Sequence, residues 1–316
     1  MTSPPAVVAP RGRRVRKSEE LRRRVARQLL EARPGDPLPP IRTLAAMFGA
    51  SVGATQIALT QLADDGMVTL DSRPGRGAVL VDRDVGRLFE ESERVPLLLA
   101  LSLPSTERIN GLATAIRSTL RGAGVETYLT FIRGSRPRIA ALAQGRCNIA
   151  VMSQFAAESL ATGRRFSIVL TLPSGTFVRE HRVFLAPGEP RRKRQLRVGI
   201  DRSSFDFERI TEMEFGDSAE YVPLNYLTFV RELETGRIDA GVLDVDDALM
   251  RIPAGMPSRS LSPRVLELLD GKNLSTAFVA RSDDVATKAV IESCVDVDAV
   301  TRIQEDVIAG RRPPEY

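Results

Sequence analysis

The sequence predicts two domains in series: an N-terminal winged helix-turn-helix, mainly α with a β-wing, and a larger α/β domain of two lobes. Three observations predict this. Residues 18–82 read as helix, helix, short turn, helix and hairpin. From Val95 onward, strands and helices alternate. The charge is uneven: residues 1–85 hold 14 Lys and Arg against 9 Asp and Glu, and the remainder balances at 31 against 31. The expected boundaries are a disordered basic arm over 1–16, the winged helix over 17–83, a linker over 84–94, and the two-lobed domain over 95–316.

Each element has a local cause. Ser18, with Glu20 and Leu21 behind it, starts a first helix. Leu21, Val25, Gln28 and Leu29 form one helical face through Ala32, and Pro34-Gly35-Asp36-Pro37 stops it. Pro39-Pro40 opens a second helix with Ile41, Leu44, Ala45 and Phe48 at apolar spacing. Gly49-Ala50 is a tight turn, and Ser51 caps a third helix that carries Ile57, Leu59 and Leu62 and ends at Asp64-Asp65-Gly66. Two short strands, Met67–Leu70 and Ala78–Val81, flank Ser72-Arg73-Pro74-Gly75-Arg76-Gly77.

That order implies double-stranded DNA as a partner. A major groove admits one helix, and the third is the one placed to enter it. Its early face offers Ser51, Thr55 and Gln56, and Gln reads an adenine edge in a bidentate way. Arg73 and Arg76 sit on the wing, where they reach phosphates or a minor groove. Residues 1–45 are strongly basic, with 11 basic against 4 acidic residues, which suits a polyanion.

The stretch LPPIRTLAAMFGASVGATQIALTQLADDGMVTLDSRPGRGAVLV resembles the DNA-binding domain of GntR-type bacterial regulators over about residues 18–82. The resemblance rests on Leu38-Pro39, Arg42, Leu44-Ala45, Ser51, Ala58-Leu59, Leu62, Gly66 and Gly75-Arg76-Gly77. It implies a phosphate contact for Arg42. The family usually carries Arg where this chain has Val52 and Gln56, a departure that bears on operator sequence rather than fold.

In the second domain, strands are expected at Val95–Leu103, Val125–Ile132, Asn148–Ser153, Phe166–Leu172, Arg182–Ala186, Leu196–Ile200, Glu220–Leu224, Ile238–Leu243 and Thr276–Ala280. Helices intervene, and residues from Val285 to Ala309 read as helical. Alternation predicts largely parallel strands. Gly-Arg-Cys-Asn-Ile-Ala-Val-Met-Ser is echoed by Gly-Arg-Ile-Asp-Ala-Gly-Val-Leu-Asp, one copy in each half, with the division near residue 190. This domain resembles the type 2 periplasmic solute-binding fold. Together with SVGATQIALTQL, RGSRPRIAALAQGRCNIAVMSQFAAES, REHRVFLAPGE and AGRRPPEY, the whole chain resembles the YhfZ subgroup of GntR-like regulators.

Ligands of open α/β sheets bind beyond the carboxyl ends of strands. That rule selects Ser105, Thr106, Arg133, Ser135, Ser153, Gln154 and Thr176 in the first half, and Asp201, Ser203, Ser204 and Asp244 in the second. Hydroxyls, backbone N–H groups and an arginine suit a small anionic effector, while each Ser or Thr serves equally as a helix cap.

Catalysis is not expected. His181 is the single histidine, Cys147 and Cys294 have no metal or redox spacing, and the four lysines (Lys17, Lys193, Lys272, Lys288) stand in no Schiff-base context. No metal or cofactor is expected. No apolar run approaches the ~20 residues of a membrane helix, and a cytoplasmic location is the expectation; the resemblance, with the symmetry of typical operators, implies a homodimer on DNA. The alternatives are a DNA-binding protein with a vestigial C-terminal domain, and a fused α/β enzyme.

Overall fold

The computed structural model describes residues 11–73, 77–93, 95–188, 195–246, 253 and 255–316. The chain divides into two compact units, Met1–Pro96 with Leu120–Glu126, and Leu97–Thr119 with Thr127–Tyr316.

The first unit is built on α1 (Arg11–Glu31), α2 (Ile41–Phe48), α3 (Val52–Asp64) and the antiparallel pair β1 (Val68–Arg73) and β2 (Gly77–Arg83). The first helix begins at Arg11 rather than Ser18, so only residues 1–10 of the expected arm lie outside the described residues. Leu21, Val25, Ala26, Leu29 and Leu30 of α1 are buried, as are Leu44 and Ala45 of α2 and Ala58, Leu59 and Leu62 of α3, with α3 packed against both α1 and α2. Arg24 donates to the carbonyls of Phe48 and Met47, satisfying the last turn of α2. Arg83 does the same for α1, through the carbonyls of Leu29, Leu30 and Ala32. Gly49, at φ +61°, closes α2, and the chain turns by 105° into α3.

The expected linker is a helix instead. α4 (Val85–Glu93) places Val85, Leu88 and Phe89 on one apolar stripe, buried against α1. Its start is held by Asp84, whose carboxylate accepts from the N–H of Arg87. Short apolar spacing of this kind is easily read as a loop when flanked by charges.

In the second unit, one sheet runs in the order β4-β3-β5-β12-β6 and another in the order β11-β7-β10-β8-β9. The first contains β3 (Leu97–Leu101), β4 (Thr127–Phe131), β5 (Ile149–Ser153), β6 (Phe166–Thr171) and the late β12 (Thr276–Arg281). The second contains β7 (His181–Leu185), β8 (Leu196–Ile200), β9 (Ala219–Pro223), β10 (Ala240–Asp244) and β11 (Ser258–Ser260). Both sheets are mixed, which corrects the largely parallel expectation. β3 runs parallel to β4 and β5, but β12 is antiparallel to β5 and β6. β8 runs parallel to β9 and β10, but β7 is antiparallel to β10 and β11.

The lobes also divide elsewhere than residue 190. The chain leaves the first lobe between β6 and β7 and returns between β11 and β12, so each lobe is closed by a strand from the other half of the sequence. Helices α5 (Glu107–Gly122), α6 (Ser135–Ala143), α7 (Gln154–Leu160), α8 (Phe205–Phe215), α9 (Phe229–Glu234) and α10 (Pro263–Leu269) cover the sheets. The helical end is two helices, α11 (Val285–Cys294) and α12 (Val297–Ile308). Asp296 breaks it by accepting from the N–H groups of Asp298 and Ala299 as an N-cap. Burial on both faces explains the continuous apolar runs of β5 and β10, in which every residue is buried.

Candidate functional site

In the first unit, Ser51 and the recognition helix behave partly as expected. Ser51 caps α3 by accepting from the N–H of Ala54 at 3.2 Å. Gln56 is exposed, with its amide 3.4 Å from the Thr60 hydroxyl on the next turn. Arg42 is exposed on α2. Thr55 is a correction: it is fully buried and its hydroxyl donates to the Ser51 carbonyl, so it does not face a groove. Thr55 turns inward with Ala58, Leu59 and Leu62. Arg73 is the last residue of β1, and Arg76 lies outside the described residues.

In the second unit, a cleft of about 580 Å³, open to solvent, lies where the carboxyl ends of strands from both lobes converge. Ser105, Thr106 and Arg133 of the first lobe and Ser204 and Asp244 of the second line it, as the strand-end rule expects. Thr106 caps α5, accepting from the N–H of Ile109 at 3.1 Å. Ser204 caps α8 through Phe207 N–H.

The other expected ligand residues are corrections. Ser135 is buried and accepts from the N–H of Phe205 at 2.9 Å. Ser153 is buried as the cap of α7, and its hydroxyl donates to Asp206 at 2.5 Å. Thr176 is buried and donates to the Pro173 carbonyl at 2.7 Å. Gln154 turns along α7 to Glu158. Asp201 and Ser203 serve each other and the opposite lobe. Asp201 receives Arg133 at 2.5 Å, the Tyr226 N–H at 3.0 Å, and both the N–H and hydroxyl of Ser203. These groups join the lobes rather than face the cleft. Gly134, at φ +81°, makes the joint close: a Cβ there would stand 2.4 Å from the Ser203 carbonyl oxygen.

Several cleft residues were not expected from the sequence. Arg138 on α6 is 3% exposed; it donates to the Ile132 carbonyl at 2.8 Å, and its Nε has no acceptor. Burial holds its guanidinium down to about 10. Asp206 on α8 is buried, and desolvation raises its carboxyl to about 6 against the Ser153 bond and the Arg138 charge, which lower it. Phe207 and Tyr226 supply an aromatic wall, their rings 5.1 Å apart. His181 also lines the cleft. Asn273 lies 2.8 Å from its Nδ1, and burial lowers it to about 4, so the ring is neutral at pH 7. With Asn273 as the donor, the ring proton is assigned to Nε2.

Comparison with known proteins finds two families along the chain. Residues 17–80 match the gntR family of bacterial regulatory proteins, and residues 84–316 match the family described as YhfZ C-terminal domain. YhfZ of Escherichia coli (strain K12) is 30% identical over 295 residues, covering 92% of this chain and 95% of that protein. The chain belongs to the YhfZ family. The crystal structure of YhfZ from Shigella flexneri is similar at 28% identity and a TM-score of 0.61, covering 74% of this chain and 98% of that one. An amino acid ABC transporter substrate-binding protein from Streptococcus pneumoniae gives a TM-score of 0.48 at 17% identity, covering 71% of this chain and 98% of that one. The region matched by the YhfZ C-terminal family is the α/β region with two mixed sheets described above, and the N-terminal gntR domain supports a role in transcription regulation. Among the described residues, no single helix is long and apolar enough to cross a membrane, and no group of three His, Cys, Asp or Glu side chains could hold a metal.

Proposed function

We propose that this YhfZ-family chain is a cytoplasmic regulator whose binding to a DNA operator responds to a small molecule bearing an anionic group, held between the lobes of the C-terminal domain. The observation that carries this reading is the cleft itself. Strand ends from both lobes meet around a buried arginine with an unpartnered N–H, in a chain whose other domain is of the gntR type. A ligand that touches both lobes has different free energy in their different arrangements, which is the requirement for shifting a conformational population. A homodimer on two half-sites would convert that shift into altered affinity, because half-site spacing is fixed by the DNA helix.

On the DNA side, Arg42 supplies a phosphate contact and Gln56 a base contact. Val52, exposed at 44% on α3, suits a thymine methyl group at a position where related regulators carry arginine, and Ile57, exposed at 58%, offers a second apolar contact. Arg42→Ala is expected to weaken binding to specific and non-specific duplexes alike. It should also lower the slope of log K against log salt by about 1. Fluorescence anisotropy on an operator selected from a random duplex library, repeated over a salt series, measures both. An unchanged slope removes Arg42 from the interface. Repeating the titration with compounds that raise the melting temperature in a broad metabolite screen tests the sensing half of the proposal. Binders that leave operator affinity unchanged would overturn it.

A further inference from the structure

The charges facing the cleft do not fit a simple anion. Arg133 is neutralised by Asp201 at 2.5 Å, and His181 is uncharged at pH 7. Two further charges line the cleft, Arg138 from the first lobe and Asp206 from the second. Arg138 and Asp206 are near enough to influence each other's ionisation, yet among the described residues no ion pair joins them. Both are buried, and for both the largest influence is the loss of water.

We propose that the ligand is a small zwitterion, with one carboxylate received by Arg138 of the first lobe and one ammonium group received by Asp206 of the second. This rests on the reading of the cleft as an effector site.

Other ligand classes leave a charge uncompensated. A neutral molecule filling the cleft would seal an arginine and a carboxylate from water without replacing it, which is costly for both. A pure anion would satisfy Arg138 but stand close to Asp206. A pure cation would satisfy Asp206 but face Arg138. A molecule with both groups offsets both burial costs at once. It also spans the lobes, because its two partners stand on α6 of the first lobe and α8 of the second. Ser153 fixes the direction of Asp206 by donating to one carboxylate oxygen at 2.5 Å. The Ile132 carbonyl likewise fixes one nitrogen of Arg138 at 2.8 Å, while Nε has no protein acceptor. Between the poles, Ile109, Phe177, Phe207 and Tyr226 leave an apolar and aromatic wall for a short side chain.

The test uses the full chain, with thermal shift followed by calorimetric titration. The panel is the twenty common L-amino acids together with the α-hydroxy acid and the amine analogue of each, plus small dicarboxylates and sugar phosphates. At least one amino acid is expected to bind, and replacing its ammonium by hydroxyl or removing its carboxylate should each abolish the shift. Arg138→Gln and Asp206→Asn should each weaken binding about 30-fold or more, with circular dichroism unchanged. Binding of a dicarboxylate or sugar phosphate as tight as that of any amino acid would overturn the zwitterion and leave the effector site standing. An amino acid that binds equally well to both variants would place the ligand elsewhere. No response to the panel or to a broad metabolite library would remove the effector site as well.

Discussion

Asp206→Asn is expected to stabilise the ligand-free protein at pH 7 while disabling its cleft. The carboxyl of Asp206 is raised from an ordinary 3.8 to about 6 by burial, so its charged form is penalised in the folded state. A raised carboxyl contributes no penalty when protonated in both states, below about pH 4. The penalty grows as pH rises towards 6 and is complete above it. His181 works in the opposite direction. Lowered from 6.5 to about 4, it carries no penalty above 6.5 and loses stability as pH falls towards 4. The two slopes oppose each other over the same window, which flattens the wild-type profile. Asn retains a carbonyl oxygen for the Ser153 hydroxyl and has no charge to desolvate. The variant should therefore gain on the order of 2–3 kcal/mol at pH 7. It should also show the His181 slope alone, becoming less stable as the solution is acidified from 6.5 to 4.5. Urea denaturation at a series of pH values reads both effects. A variant no more stable than wild type at pH 7, with a parallel profile, would show that Asp206 is not held in a desolvated state.

Phe229→Ala is expected to cost about 3–5 kcal/mol in the unfolding of the C-terminal domain. Its ring is fully buried in the second lobe, beside Leu233, Ile238 and Leu243. It lies directly on the sheet because the two strands under it carry glycine: a Cβ at Gly199 of β8 would stand 3.2 Å from the ring, and one at Gly241 of β10 2.9 Å. Removing the ring leaves a hole over two backbones with no side chains to fill it. Asp244 ends β10 and Asp201 directly follows β8, so the same ring steadies the strand ends that reach the cleft and the joint between lobes. Chemical denaturation gives the loss directly, and a value under about 1 kcal/mol would mean that the ring is not packed on these strands.

Where interactions are local, the residues were sufficient. The turn at Gly49, the cap at Ser51 and the apolar stripes of α1, α2 and α3 lie within a few positions of one another, so the winged helix-turn-helix was legible. So were the strands β5, β8 and β12, which appear as short apolar runs. By itself the sequence determined the order of elements, the two kinds of domain and the GntR and YhfZ resemblances. It also placed Ser105, Thr106, Arg133, Ser204 and Asp244 at strand ends facing a cleft. Tertiary structure alone decided that β7 and β12 run antiparallel and that β12 completes the first lobe, because pairing between strands more than fifty residues apart leaves no local mark. It decided that Thr55 turns inward and that Asp201 is consumed at the joint between lobes. It also brought Arg138 and Asp206 into one cavity. In the sequence, each is an ordinary charge in the first half of a helix, indistinguishable from a solvated one. Arg138 lies one turn beyond Gly134, and Asp206 suits the positive end of α8 whether or not anything lies opposite. Only burial from two lobes at once removes their water, and that loss of water is what turns two unremarkable charges into a candidate binding site.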